Sequence, residues 1–180
     1  MENNDLPVER SRSLLHRANQ AFFFVGGFGT ASWAPLVPLL KEQLAVEEDM
    51  LGLLLLCIGV GSLLTMPLAG SLAGRFGCRR VIAADSLVFA GLLLLLAWVD
   101  RIYLAVPALL AFGASMGIID VTVNIHAVRV ELLLKKRVMS GMHALWSVGG
   151  FLGAGLFGVW MMLGFTPLGA TACSSAFIAL

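Results

Sequence analysis

The sequence predicts an all-α protein, built as a polytopic bundle of transmembrane helices. Of its 180 residues, 59% are hydrophobic and 13% are charged, whereas soluble domains average about 25% charged residues. The mean hydropathy is +0.92. The apolar residues fall into repeated runs separated by short charged turns, which is the pattern of several membrane-spanning helices. We therefore expect the chain to lie in a bilayer.

The polar N-terminal tail, residues 1–17, precedes the first apolar run. A signal peptide also starts with basic residues and an apolar stretch, but here no small-residue cleavage site follows and further long spans do. We therefore expect a retained first helix, bent or ended near its far end by Pro35 and Pro38. The predicted spans cover about residues 18–40, 50–72, 81–99, 102–128, 139–163 and, in part, 168–180.

The last apolar segment is shorter than a full span. As a helix, residues 168–180 would extend about 20 Å, against a hydrocarbon core of about 30 Å. The sequence thus predicts a sixth helix that is cut short. Either the chain is a fragment or its last helix is incompletely inserted.

Small residues mark the expected contacts between helices. Small residues four positions apart let two helices approach closely in a membrane. Such positions in the fifth span are Gly149-x3-Gly153 and Gly150-x3-Ala154-x3-Gly158. Gly59, Gly61 and Ser62 form a small-residue face in the second span.

Basic residues are distributed unevenly between the two sides of the predicted bundle. All but Lys41 and Arg101 of the 12 lysines and arginines fall on the side of the N-terminus. Cytoplasmic loops carry an excess of basic residues. We therefore expect a multi-pass protein of the inner membrane with its N-terminus in the cytoplasm.

Polar residues stand out in the fourth and fifth predicted spans. Asp120 and Asn124 are four apart and share one helix face, and His143 follows the basic turn at residues 135–137. Burying an ionisable group in a membrane costs about 2.5–3.5 kcal/mol on insertion scales, and such groups usually face a protein interior or a watery cavity. Asp120 either binds a solute or coupling ion or pairs with Arg129. His143 either relays a proton, bonds to Asp120 or lies at the membrane interface.

The loop between the second and third spans reads GSLAGRFGCRR over residues 70–80. It resembles the signature loop of the major facilitator superfamily, roughly G-x-L-A-D-R-x-G-R-K/R-x-x-L. The matching positions are Gly70, Leu72, Ala73, Arg75, Gly77 and Arg79. Gly74 stands at the acidic position and Cys78 at the first basic one, and Asp85 is the carboxylate that could replace the missing acid.

The resemblance extends over most of the chain and implies a fold and a function. The chain is similar to the N-terminal six-helix half of bacterial inner-membrane members, in the sugar-transporter-like branch. It would then belong to a secondary transporter that moves a small hydrophilic solute, such as a sugar, by alternating access. The first helix would line the cavity with Thr30 and Trp33, although Trp33 could instead face lipid. The loop that gates the conformational change would comprise Gly70, Arg75, Gly77, Arg79 and Asp85.

Other classes of function find no support in the sequence. It has no phosphate-binding loop, no zinc-protease motif and no cysteine spacing typical of a metal site, so we expect no enzyme, cofactor, metal or nucleic acid. The expected partners are a small-molecule solute, membrane lipid around the arginine-rich loop, and a second half or second copy. His126 lies off the Asp120 face and is expected at the interface. The alternative is a truncated or non-transporting membrane protein, a transporter remnant or an interaction subunit.

Overall fold

The computed structural model describes residues 6–179, with side chains from residue 13 onward. Residues 1–5 of the predicted tail and Leu180 of the predicted sixth span lie outside this part. The helices are α1 (Leu6–Ser32), α2 (Leu36–Leu44), α3 (Glu48–Phe76), α4 (Cys78–Leu96), α5 (Ile102–Leu134), α6 (Met139–Met162) and α7 (Pro167–Ala179). The described residues contain no strand.

Within residues 6–179, four segments are long and apolar enough to cross a membrane. They are Ser13–Leu44, Glu48–Phe76, Ile102–Leu134 and Met139–Met162. The predicted all-α transmembrane bundle is therefore confirmed.

The first apolar run is broken at the prolines. α1 ends at Ser32, and Pro35 stands at the N-cap of α2 with φ −68° and ψ −17°. Pro38 lies in the first turn of α2, where the missing N–H costs little because this position has no intrahelical acceptor. The first helix therefore ends before these prolines, as one of the two expected outcomes, and α2 follows as a separate helix to Leu44.

The basic turns are shorter than the sequence suggested. α4 starts directly after Gly77, so Arg79 and Arg80 belong to its first turn. α5 continues past residue 128 and ends at Leu134. The next residue, Lys135, caps it with a left-handed φ of 53°. Only residues 135–138 remain between α5 and α6, which holds the starts and ends of these two long helices close together.

The helices pack in pairs. α3 runs along α5, α1 runs along α6, and α4 lies against both α5 and α7. Side chains add hydrogen bonds between helices: Thr65 Oγ1 donates to the carbonyl of Ala114 at 2.9 Å, and Ser175 Oγ donates to that of Ala90 at 3.0 Å. Such bonds satisfy hydroxyl groups that would otherwise face hydrocarbon.

Glycine allows backbone contact in both long pairs. A Cβ on Gly61 would meet the carbonyl oxygen of Leu110 on α5, and one on Gly149 or Gly153 would meet a carbonyl oxygen of α1. The predicted contacts at these three glycines are confirmed. A Cβ on Gly59 or Gly158 would have no neighbouring atom within 4 Å. Including them in the contact faces was wrong, because the rotation of α3 and α6 turns both away from the bundle.

Candidate solute and coupling site

Asp120 and Asn124 lie half-buried on one face of α5. Asn124 Nδ2 donates to the backbone carbonyl of Asp120 at 2.8 Å and approaches its Oδ1 at 3.4 Å. The ion pairs among the described side chains are Lys41–Glu48 and Arg101–Asp100. Asp120 therefore has no basic partner there, and the pairing with Arg129 is not observed.

Glu131 continues this face toward the end of α5. It lies eleven residues after Asp120, about three helical turns, and so on the same face. Glu131 Oε1 accepts the backbone N–H of Val138 at 2.8 Å and that of Met139 at 3.4 Å. It thereby caps the start of α6 from the neighbouring helix. Glu131 thus joins the end of the Asp120 face to the start of α6.

His143 lies one turn into α6 and is exposed. Its ring meets that of Phe23 on α1 edge to face, with ring centres 5.4 Å apart and an angle of 82°. No hydrogen bond joins His143 to Asp120 within residues 13–179, so the direct bond between them is not found. The histidine is held by α1 and still open to solute or water.

Thr30 and Trp33 occupy different surroundings on the first helix and the turn that follows it. Thr30 is half-buried, and its Oγ1 donates to the carbonyl of Gly26 at 2.8 Å. Trp33 is only 8% exposed and packs against Phe112 with ring centres 5.3 Å apart. Its indole faces the core of the bundle, so the alternative of a lipid-facing Trp33 is not observed.

The signature loop forms the tight connection between α3 and α4. Gly77 has φ +84°, a conformation that L side chains rarely adopt, which explains the glycine at this position. Arg75 lies over the Phe76 ring at 5.2 Å from its centre. Gly70 and Arg79 are exposed. The loop is therefore an ordered corner with basic groups directed outward.

Asp85 is buried about two helical turns beyond this corner. Ser115 Oγ of α5 donates to its Oδ2 at 3.0 Å. The carboxylate is thus held by a hydroxyl of α5, and none of the arginines in the described part forms an ion pair with it. Its suggested replacement of the missing loop acid stays a prediction.

One buried pair was missed by the sequence analysis. His126 is 7% exposed and Asn19 is 0% exposed, and His126 Nδ1 lies 2.8 Å from Asn19 Oδ1, which can only accept. α1 covers His126, and its expected depth at the membrane interface stays a prediction. The only sequence signal was an isolated Asn at the start of an apolar run, and nothing links it to a histidine 107 residues away.

This arrangement is that of an all-α bundle with membrane-spanning helices, and the comparisons with known proteins give its family. Residues 8–167 match the profile of the transmembrane secretion effector family. An uncharacterised MFS-type transporter of Yersinia pestis is 49% identical over 82% of this chain and 38% of its own length. The membrane protein MosC of Rhizobium meliloti is 34% identical over 76% of this chain and 34% of its own.

A more distant relative has a named solute. The 4-hydroxybenzoate transporter PcaK of Acinetobacter baylyi is 25% identical over 92% of this chain and 38% of its own length. No solved structure shows significant similarity. The chain belongs to the major facilitator superfamily, as its loop predicted, and is a multi-pass membrane protein. It spans little more than a third of the length of these relatives.

Proposed function

We propose that this chain forms the N-terminal half of a secondary transporter that moves a small hydrophilic solute across the bacterial inner membrane by alternating access. Membership of the superfamily supports the transport class. The solute and coupling site would comprise Asp120, Asn124, His143 and Thr30, with Trp33 as packing support behind Thr30. The α3–α4 corner with Gly70, Arg75, Gly77, Arg79 and Asp85 would gate the change of conformation.

The observation that carries this proposal is the unpaired carboxylate of Asp120. Two other polar groups inside the bundle, Asp85 and His126, have side-chain partners on neighbouring helices, so hydrogen bonds between helices already satisfy them. Among the side chains of residues 13–179, Asp120 bonds only within its own helix, to Asn124. Ionisable groups that membrane helices retain without a structural partner are functional-site candidates.

The chemistry of the site suits a solute with hydroxyl groups and a dissociable proton. Carboxylate, amide and hydroxyl groups can hydrogen-bond a polar solute, and a histidine can exchange a proton near neutral pH. A sugar remains one candidate. The name of the PcaK relative adds a second, an aromatic hydroxy acid, whose carboxylate would accept a hydrogen bond from His143. The family description names secretion, which favours outward transport.

The proposed orientation places the N-terminus in the cytoplasm. The end of α3, the start of α4 and the α5–α6 turn carry Arg75, Arg79, Arg80 and residues 135–137, whereas Lys41 and Arg101 lie at the other end. Cytoplasmic loops are the basic ones. A reporter that is active only in the cytoplasm should be active when fused after Lys136. A reporter that is active only outside the cytoplasm should be active when fused after Asp100. The opposite pattern would overturn the orientation.

Alternating access requires a second helical bundle against which this half-bundle can move. Because the chain spans little more than a third of its relatives, a second half or a second copy would have to supply the opposite wall. The alternative is a non-transporting protein, either a transporter remnant or an interaction subunit. Native mass spectrometry in detergent separates a lone half from a pair.

The decisive experiment measures coupled transport. The chain is reconstituted in vesicles that contain a pH-sensitive dye, and a panel of sugars and aromatic hydroxy acids is added under a proton gradient. We expect D120N to abolish the solute-dependent proton flux, while D100N, an exposed control at the other end, keeps it. An unchanged flux in D120N would reject the coupling role, and absence of any flux from the wild-type chain would favour the alternative.

A further inference from the structure

A groove of about 360 Å³ lies at the end of the bundle that carries the basic turns. It is formed by α1, the start of α4 and the last turns of α5. Its basic residues are Arg79, Arg80 and Arg129, and its apolar walls include Leu15, Phe76 and Leu133. We call it the arginine groove. It joins the signature loop to a basic residue of α5 that the loop motif does not include.

The positive charge of the arginine groove is not neutralised by the described side chains. Arg79, Arg80 and Arg129 are exposed, and none of the described residues that line the groove is acidic. The ion pairs in residues 13–179 involve Lys41 and Arg101, at the opposite end of the bundle. Several cations in one concavity attract an anion and repel one another until it binds.

The start of α4 adds hydrogen-bond donors to the same place. α4 has 19 residues, and among the described side chains none caps its N-terminus at Gly77. Gly77, Cys78 and Arg79 line the groove, so the free N–H groups and the positive end of the helix dipole lie beside the arginines. Guanidinium groups and a helix N-terminus are both suited to phosphate oxygens.

We propose that the arginine groove binds the phosphodiester headgroup of an anionic phospholipid. The apolar walls favour a lipid over free phosphate, because Leu15, Phe76 and Leu133 offer a surface to acyl chains that inorganic phosphate cannot use. The groove also lies at the ends of membrane-spanning helices, where headgroups are found. This inference depends on the membrane-spanning fold and is independent of the solute and of transport itself.

The test compares two double variants with equal loss of charge. R79Q/R129Q removes two cations from the groove, and K136Q/R137Q removes two from the same end of the bundle at a separate surface. The full chain is titrated with dioleoylphosphatidylglycerol in detergent, and bound lipid is counted by native mass spectrometry. One basic residue near an anionic lipid contributes about a factor of five in affinity, so R79Q/R129Q should bind about 25-fold more weakly. The lipid affinity of K136Q/R137Q should differ from that of the unaltered chain by less than about twofold.

Three outcomes would overturn the proposal. Equal losses in the two double variants would mean a diffuse basic surface. Displacement of the lipid by millimolar inorganic phosphate would assign the groove to a free anion. Binding of dioleoylphosphatidylcholine as tightly as phosphatidylglycerol would show that the charge is not recognised. Should R79Q/R129Q fail to fold by circular dichroism, R129Q alone is measured, with a loss of about fivefold expected.

Discussion

Replacing Gly149 by alanine tests the close contact of α1 and α6 directly. A Cβ at this position would meet the carbonyl oxygen of Phe24, and it would lie 3.0 Å from the Phe24 carbonyl carbon and 3.1 Å from the backbone nitrogen of Phe28. All three atoms belong to the backbone of α1, so no flexible side chain can move aside. The helices would have to separate along the whole contact.

The expected cost follows from this separation. Inserting a methyl group into a packed interface costs about 1–3 kcal/mol, because a gap of about 0.5–1 Å already removes a quarter to a half of each dispersion contact. Alanine also gains about 1 kcal/mol of helix propensity over glycine. Gly155 is the matched control, because it lies on the same helix and a Cβ there has no neighbour within 4 Å. The propensity gain is common to both sites and cancels in the comparison.

The assay is reversible unfolding in mixed detergent and dodecyl sulfate micelles, followed by circular dichroism. We expect G149A to be less stable than G155A by about 1–3 kcal/mol. If G149A were as stable as G155A, α1 and α6 would not be in backbone contact, and the packing described for this pair would be incorrect.

Three further substitutions test single contacts by the same unfolding measurement. E131Q should lower stability by about 1 kcal/mol, because a neutral amide caps the start of α6 more weakly than the carboxylate; no change would mean that the cap is not formed in micelles. G77A should cost about 1–2 kcal/mol, because φ +84° is strained for alanine, whereas G74A, with open space around it, should not destabilise. D85A should cost about 1–3 kcal/mol by leaving the Ser115 hydroxyl without its acceptor, and D85N should cost less; equal losses would argue against this hydrogen bond.

Only the part of the site that depends on spacing along one helix could be predicted from the sequence. A separation of four residues placed Asp120 and Asn124 on one face, and the structure joins them by a hydrogen bond. Their partial burial could not be predicted, because it depends on how α5 is rotated in the bundle. Trp33 shows the same limit, since its burial against Phe112 depends on α5 as well as on its own segment.

The sequence by itself determined the membrane-spanning helices, their break at Pro35 and the family. These are local properties, because hydropathy, proline and a loop motif act within one segment. Only the tertiary structure decided which glycines touch a neighbour, that His126 meets Asn19, and that Arg129 joins the arginines of the loop. Each of these depends on the rotation and depth of one helix against another. In lipid, the rotation and depth of each helix are set by close packing summed over many side chains of several helices. No single segment of the sequence specifies them.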